Sequence, residues 1–272
     1  MGGRGTINEQ TRYHMNLTTH IFLERPTSGR HVLKPIQENL ISLQDEVREA
    51  FDWSLDADEH SAHEMAKAFS IESPFGHESW NRTSRSKALE ALRQSICSAQ
   101  RLMVVGAGSV PIHVADYPDA WFIAADGAVG AIDDFSRVLC VISDGDGSDH
   151  LERAAQAGIH IVLHAHGDNL GRWNQLASTW SLLQNPPSLT LTHQSKAMHA
   201  GMYNPGGFTD GDRALCFIES LGRSLENVEC LGFRTDVVGP WSGVTNPERK
   251  MQKLEWMRES MRRLGVEHFL IR

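Results

Sequence analysis

The amino-acid sequence predicts an α/β fold in which a mostly parallel sheet carries helices on both faces, preceded by a smaller, mainly helical N-terminal region. Beyond residue 100, short apolar runs alternate with segments of helical periodicity, which is the pattern of parallel α/β proteins. Before that point, apolar residues recur mainly at helical spacing. Hydrophobic residues make up 40% of the 272 residues and charged residues 22%, a balance that supports a sizeable core.

Three helices are predicted in the N-terminal region. Pro35 opens the first, which runs to Phe51, and the other two cover residues 56–69 and 84–99. The change of pattern near residue 100 divides the chain into an N-terminal region, residues 1–98, and an α/β domain, residues 99–272.

The α/β domain contains seven apolar runs that predict strands, with helical segments between them. The strand candidates are residues 102–105, 121–124, 138–142, 159–163, 189–192, 228–231 and 268–271. The helix candidates are residues 148–157, 170–183, 211–221 and 247–264. This order predicts a Rossmann-like sheet, in which ligands bind beyond the carboxyl ends of the strands.

Charge and composition exclude several classes of protein. With 26 basic and 34 acidic side chains, the net charge of −8 gives no general footprint for nucleic acid. The four cysteines are widely scattered, which predicts buried thiols rather than disulfides or a zinc site. The sequence has neither an apolar signal core nor a run of about 18 apolar residues, so we expect a cytoplasmic protein without membrane contact.

The loops after the first three strands carry glycines and carboxylates. Gly106 and Gly108 follow the first strand, and such glycines either form a tight turn or bring backbone N–H groups close to a phosphate. Asp126 follows the second strand, and Asp144 and Asp146 follow the third. Paired aspartates either offer hard oxygen ligands to Mg²⁺ or form a solvated turn that caps the next helix.

The fourth strand ends in a loop with two histidines, His164 and His166, followed by Asp168 and Asn169. Two imidazoles on one side of an extended chain can chelate zinc, but Asn169 stands where zinc hydrolases with this pattern carry a further histidine. The alternative is that Asp168 binds magnesium while the histidines contact phosphate or order the loop. A purely structural role for either histidine also stays open.

The longest unusual loop, residues 203–214, carries glycines, two aspartates and an arginine ahead of an apolar helix. Asp210 or Asp212 is a candidate helix cap, yet a cap alone does not account for the density of Gly, Asp and Arg213. Acidic strand-end loops combined with glycines and cationic groups favour a Mg²⁺–nucleotide site.

In order, these loops resemble the archaeal 6-hydroxymethyl-7,8-dihydropterin pyrophosphokinase family, whose catalytic fold is similar to that of thiamin pyrophosphokinase. The resemblance covers roughly residues 75–265 and includes residues 231–236, 241–243, Lys250 and Lys253. The five loop motifs are GAGSVP (106–111), AADGA (124–128), SDGDG (143–147), HAHGDN (164–169) and GGFTDGDRA (206–214). Two departures are Ser109-Val110-Pro111, where the family has a Pro-Ser-Leu-like run, and Gly145, where an Asp-Leu-Asp-Gly pattern is common.

The resemblance implies an enzyme that moves pyrophosphate from ATP, its co-substrate, to a pterin with Mg²⁺ as cofactor, releasing AMP. By the same resemblance, the metal ligands are Asp126, Asp144, Asp146 and Asp168. The catalytic residues are Asp144, Asp146, Asp168 and Arg213. The residues that bind ATP, metal or pterin are Gly106, Gly108, Asp126, Gly127, His164, His166, Asn169, Asp210, Asp212, Lys250 and Lys253, with Gln194 and Lys196 lining the same opening.

Several functional alternatives stay open at this stage. Attack on a phosphorus needs positioning and charge neutralisation rather than a protein nucleophile, which suits these residue types. A thiamin or other small-molecule pyrophosphokinase, a glycosyltransferase, a zinc hydrolase and a non-catalytic nucleotide-binding protein are the rivals. Phe208, Phe233 and Trp241 are candidates to sandwich a flat pterin or to fill the core. A pathway to tetrahydromethanopterin or a folate-type carrier and a homodimer are expectations from the family alone.

Overall fold

The structure, a computed structural model, describes residues 37–243 and 246–271. Its N-terminal part contains helices α1 (Glu38–Phe51), α2 (Leu55–Ala68) and α3 (Arg82–Ser98). Side chains cap two of them, because Ser54 accepts a hydrogen bond from the Ala57 N–H and Asn81 accepts one from the Ser84 N–H. The three predicted helices are confirmed, although the predicted start at Pro35 lies outside the described residues.

Six strands of the described chain form one sheet, and each neighbouring pair runs parallel. They are β1 (Arg101–Val105), β2 (Ala120–Ala125), β3 (Val138–Ser143), β4 (His160–Ala165), β5 (Leu189–His193) and β6 (Val228–Leu231), in the order β5-β4-β3-β2-β1-β6. Each strand lies within two residues of a predicted apolar run.

The predicted seventh strand, residues 268–271, is wrong. The chain there forms a single 3₁₀ turn, Glu267–Phe269, and then one isolated bridge between Arg234 and Ile271. The physical reason is exposure: Ile271 is 48% exposed, so this run lacks the burial on both faces that a strand inside a parallel sheet receives.

Helices cover both faces of the sheet, as predicted. The remaining helices are α4 (Ser148–Gln156), α5 (Leu170–Trp180), α6 (Asp210–Ser220) and α7 (Pro247–Arg263). Buried side chains of α2, α4 and α5 pack on one face of the sheet, and those of α3, α6 and α7 pack on the other. None of the described helices combines the length and apolar composition needed to cross a bilayer.

The helices of the N-terminal part share the core of the sheet. Met65 of α2 and Phe69, which directly follows this helix, lie in the same buried cluster as Phe122 of β2, and Leu89 and Ile96 of α3 lie in the cluster on the opposite face. The division into residues 1–98 and 99–272 stays a prediction.

The strand order reverses at β1, which lies between β2 and β6. Chain connections leave in opposite directions at such a point and open a crevice at the carboxyl edge of the sheet. The loops after β1 and β6 are joined by hydrogen bonds, since the Gly106 N–H donates to the Leu231 carbonyl at 2.8 Å and the Gly108 N–H to the Gly232 carbonyl at 3.0 Å. Gly232 has a φ of +69°, and a Cβ there would lie 2.0 Å from the Ser109 nitrogen.

We therefore expect Gly232→Ala to destabilise the protein more than a matched glycine substitution. Gly158 also has a positive φ, +74°, but a Cβ there meets no atom within 4 Å. Gly158→Ala should cost about 1–2 kcal/mol of unfolding free energy from its backbone conformation. Gly232→Ala should cost about 2 kcal/mol more because its Cβ also overlaps the β1 loop. Equal losses in urea unfolding would contradict the close contact between these loops.

Candidate active site

A cavity lies at the carboxyl edge of the sheet, at the point where the strand order reverses. The space between its walls, including the solvent at its open mouth, is about 990 Å³. It gathers many of the predicted residues: Gly106, Gly108, Asp126, Asp144, Asp146, His166, Gln194, Asp210, Arg213, Lys250 and Lys253.

A cluster of carboxylates lies at this cavity. One oxygen from each of Asp126, Asp144 and Asp210 lies within 4.8 Å of the others, so the group has the spacing of a metal site. Asp126 adopts a left-handed backbone conformation, with φ of +48°, and its carboxylate accepts a hydrogen bond from Ser143 Oγ at 2.5 Å. A left-handed non-glycine residue costs energy and is typical of functional sites.

The electrostatics of the cluster favour a bound cation. Burial and the nearby carboxylate of Asp210 raise the pKa of Asp126 well above its usual range. Burial and the charge of Asp144 raise the pKa of Asp210 to about 7. Carboxylates held this close resist full ionisation, and a divalent cation with a preference for oxygen ligands relieves their repulsion. The residues present therefore fit a hard divalent cation.

Asp144 is the member of the cluster that stays ionised. Burial raises its pKa, but the contact with the His166 ring and the charge of Arg213 outweigh burial, so the pKa of Asp144 lies below its usual range. His166 Nε2 lies 3.3 Å from Asp144 Oδ2. Asp146 also lines the cavity, and its backbone N–H donates to Asp144 Oδ1 at 3.3 Å.

Cationic side chains face the carboxylates. Arg213 is 2% exposed and donates to Asp210 Oδ1 at 2.8 Å and to the Phe208 carbonyl at 2.7 Å, while its buried Nε has no hydrogen-bond partner among the described residues. Lys250 and Lys253 reach the cavity from α7. Cationic side chains and a cluster of carboxylates in one cavity suit a metal–polyphosphate ligand.

His164 and Asn169 lie behind the cavity and order the loop after β4. His164 is fully buried, with Nδ1 3.0 Å from Thr192 Oγ1, and burial lowers its pKa well below the usual range. Asn169 Nδ2 donates to the carbonyls of His164 and Asp144 at 2.7 and 2.9 Å. Both ring nitrogens of His164 already meet side-chain oxygens, Thr192 Oγ1 and Gln194 Oε1, and the described metal-compatible group contains carboxylates only, which disfavours a zinc centre.

Asp168 does not join the carboxylate cluster. Its side chain is 98% exposed, because the turn that precedes α5 directs it into solvent, and it approaches His166 Nδ1 at 3.4 Å from outside. We therefore leave Asp168 out of the metal ligands and catalytic residues. Lys196 is also outside the cavity lining and pairs with Asp45 at 2.5 Å.

Four other residues that were predicted to bind the ligand have contacts that stabilise the surrounding loops or a helix end. The N–H groups of Gly106 and Gly108 already donate to the Leu231 and Gly232 carbonyls, so close loop packing accounts for these glycines; they also line the cavity, and their phosphate-binding role stays a prediction. Gly127 packs against the Trp241 carbonyl, 2.6 Å from the place of a Cβ. Asp212 caps α6, accepting from the Phe208 and Thr209 N–H groups at 2.7 and 2.8 Å.

The cavity wall also contains one aromatic residue that the sequence motifs did not indicate, beside the three aromatic candidates that the sequence analysis named. Trp53, in the turn after α1, lines the cavity, and the Lys253 Nζ lies 5.4 Å from its ring centroid. Phe208 packs 6.0 Å from Trp53, and Phe233 and Trp241 line the same cavity. No motif marks Trp53; the available signal was an aromatic residue beside a turn between two helices.

Comparison with known proteins finds two relatives of similar sequence. The chain is 35% identical over 173 residues to the 6-hydroxymethyl-7,8-dihydropterin pyrophosphokinase of Pyrococcus furiosus, covering 59% of this chain and 70% of that protein. It is 39% identical over 103 residues to the protein of the same name from Methanothermobacter thermautotrophicus, covering 37% of this chain and 41% of that protein. No protein-family model matches the chain.

The raised pKa of Asp126 predicts a pH-dependent gain in stability for Asp126→Asn. A carboxyl whose pKa is higher in the folded than in the unfolded state destabilises the fold as pH rises above the unfolded value, about 4. At pH 8 with a chelator present, Asp126→Asn should raise Tm by roughly 2–4 °C for each kcal/mol of repulsion removed. The gain should shrink as pH falls and vanish below about 4, where Asp126 is protonated in both the folded and the unfolded state.

The second measurement on Asp126→Asn is the change of its Tm when a divalent cation is added. Adding Mg²⁺ should raise the Tm of the unsubstituted protein and raise that of Asp126→Asn much less, because a ligand carboxylate has been lost. Asp168→Asn, which removes an exposed carboxylate outside the cluster, is the matched control and should respond to Mg²⁺ like the unsubstituted protein. Identical Mg²⁺ responses in Asp126→Asn and the control would show that the cluster does not bind the ion.

Proposed function

Because the chain belongs to the 6-hydroxymethyl-7,8-dihydropterin pyrophosphokinase family, we propose that it transfers pyrophosphate from ATP to 6-hydroxymethyl-7,8-dihydropterin. The products are the pterin diphosphate and AMP, and the pathway is biosynthesis of a tetrahydromethanopterin- or folate-type cofactor. The single observation that supports this proposal best is that the carboxylate cluster lines one cavity together with Arg213, Lys250 and Lys253.

Asp126, Asp144 and Asp210 are the proposed ligands of Mg²⁺, with Asp146 beside them. Bound there, Mg²⁺ neutralises part of the triphosphate charge and orients the phosphates. The raised pKa values of Asp126 and Asp210 add a consequence, since loading the metal releases protons from these carboxyls.

In the proposed reaction, the acceptor hydroxyl oxygen forms a bond to the β-phosphorus of ATP, and the bond from that phosphorus to the α–β bridging oxygen breaks. AMP leaves and the hydroxyl proton is released.

The cationic side chains carry the rest of the charge neutralisation. Arg213 is held by Asp210 and the Phe208 carbonyl, so its guanidinium is oriented before substrate arrives. Lys250 and Lys253 of α7 add positive charge to the same cavity.

The aromatic part of the cavity is the proposed site of the flat acceptor. Trp53, Phe208 and Trp241 line this space, while Phe233 is 2% exposed and also belongs to the core. Aromatic walls suit a planar heterocycle. They suit the thiazolium and pyrimidine rings of thiamin as well, so the acceptor must be identified by experiment.

The direct test is AMP release from Mg²⁺–ATP with 6-hydroxymethyl-7,8-dihydropterin or thiamin, with product masses recorded. The proposal expects AMP and pterin diphosphate in equal amounts, and no product when the metal is chelated. Product with thiamin alone would retain the chemistry and replace the acceptor. If the protein binds the nucleotide but forms no AMP with either acceptor, a non-catalytic nucleotide-binding protein would be favoured.

Asp144→Asn should lower kcat by about 100-fold or more, because it removes the ionised carboxylate of the cluster and its contact with His166. Asp168→Asn is the control, since its exposed side chain lies outside the cluster, and its kcat should change by less than about threefold. Both variants should keep the far-ultraviolet circular dichroism of the unsubstituted protein. Equal kcat values for the two variants would remove Asp144 from the proposed metal site.

A further inference from the structure

A buried ion pair joins α1 and α2, the first two described helices of the chain. Arg48 Nη1 of α1 lies 2.8 Å from Asp58 Oδ2 of α2, and the two side chains are only 6% and 5% exposed. Pairs this well buried add little net stability over an apolar pair of similar volume, because both charges lose their hydration. The stability of the fold is therefore not a sufficient explanation for this pair.

Among the described residues, the other hydrogen bonds of the Asp58 side chain lead to loops of the active site. Its Oδ2 accepts a hydrogen bond from Gln194 Nε2 at 2.9 Å, and its Oδ1 accepts one from the Gly167 N–H at 2.7 Å. Gln194 lines the cavity, and Gly167 follows His166, whose ring contacts Asp144. Asp58 thus joins two separate loops at one carboxylate.

Arg48 reaches the same loops from α1. Its Nη1 donates to the Gln194 carbonyl at 3.0 Å as well as to Asp58. One turn earlier on α1, Gln44 Nε2 donates to Asn204 Oδ1 at 3.0 Å, and Asn204 Nδ2 donates back to Gln44 Oε1 at 2.9 Å. Asn204 also binds the Ser195 carbonyl, so one face of α1 holds the chain on both sides of the turn after β5.

We propose that Arg48 and Asp58 are positioning residues of the active site: they fix the Gln194 side chain and the His166–Gly167 turn relative to the carboxylate cluster. This inference rests on the proposed pyrophosphate transfer. The ion pair presents two fixed charges with defined directions, whereas an apolar pair would fill the space without orienting either loop. Displacement of catalytic groups by about 1 Å can cost about 100-fold in rate, so this orientation matters for turnover.

The test compares Arg48→Met and Asp58→Asn with Met65→Ala, assayed well below the Tm of each variant. Met65 is a fully buried apolar residue of α2, so its truncation lowers Tm while it leaves in place the hydrogen bonds from Arg48 and Asp58 to the two loops. The two network variants should lower kcat/KM at least about tenfold, whereas Met65→Ala should stay within about threefold at a comparable loss of Tm. Arg48→Lys, which keeps one donor and the charge, should recover part of the loss.

A double-mutant cycle separates positioning from general loosening. If Asp58 acts partly through Gln194, then Asp58→Asn combined with Gln194→Ala should lose less kcat/KM than the product of the two single losses. The inference is overturned if the losses multiply, or if the network variants lose no more activity than Met65→Ala.

Hydrogen exchange gives a readout that does not require turnover. Asp58→Asn should speed exchange of the Gly167 amide and of the segment that contains Gln194, whereas Met65→Ala should leave both close to the unsubstituted rates. If the unsubstituted protein makes no pterin diphosphate, the proposed function fails, and the inference is then judged on hydrogen exchange together with calorimetric binding of Mg²⁺–ATP. Unchanged exchange in Asp58→Asn would overturn the inference whatever the activity.

Discussion

The carboxylates of Asp126, Asp144 and Asp210 lie within 4.8 Å of one another, and their mutual repulsion constrains everything that surrounds them. The chain compensates locally. Ser143 donates to Asp126, and Arg213 donates to Asp210 from a buried position. These partners reduce the repulsion without cancelling it, since the pKa values of Asp126 and Asp210 remain raised. A site assembled at such a cost is best explained by the ligand that relieves it, a divalent cation with its phosphates.

The parallel sheet is what brings these charges together. Asp126 and Asp144 follow adjacent strands, β2 and β3, and Asp210 begins α6, which packs across the same sheet. The reversal of strand order at β1 opens the crevice beside them, while the hydrogen bonds between the β1 and β6 loops keep its floor rigid. Glycine is needed in this floor because the two backbones are in contact, and that need is separate from phosphate binding.

Much of this arrangement could be predicted from the sequence. The alternation of apolar runs and helical segments predicted the α/β sheet, and the order of the loop motifs predicted the family; both predictions are confirmed. Motifs report residue type and order, however, and not the direction in which a side chain points. Asp168 therefore seemed equivalent to Asp144 in the sequence, although a turn directs it into solvent. The predicted strand at residues 268–271 failed for a related reason, because an apolar run does not reveal its exposure.

The contribution of α1 and α2 could not be read from any local pattern. Asp58 meets Gln194 across 136 residues of sequence, and Arg48 meets the Gln194 carbonyl across 146. The only local sign was a polar residue on the buried face of each helix, which is informative because charged side chains are seldom buried without a partner. Such contacts depend on the finished fold.

The contrast between the motif-bearing loops and the N-terminal helices suggests how specificity for the acceptor is distributed in the chain. In the proposed reaction, the carboxylates and cationic residues perform chemistry that any pyrophosphokinase requires, and motif-bearing loops supply most of them. The proposed acceptor wall is different, because Trp53 comes from the turn between α1 and α2, and Gln194 is held by the ion pair between those same helices. Acceptor choice can therefore change through the N-terminal helices while the phosphate chemistry stays the same. Sequence similarity that is restricted to the strand-end loops therefore identifies the reaction more securely than it identifies the acceptor of the pyrophosphate.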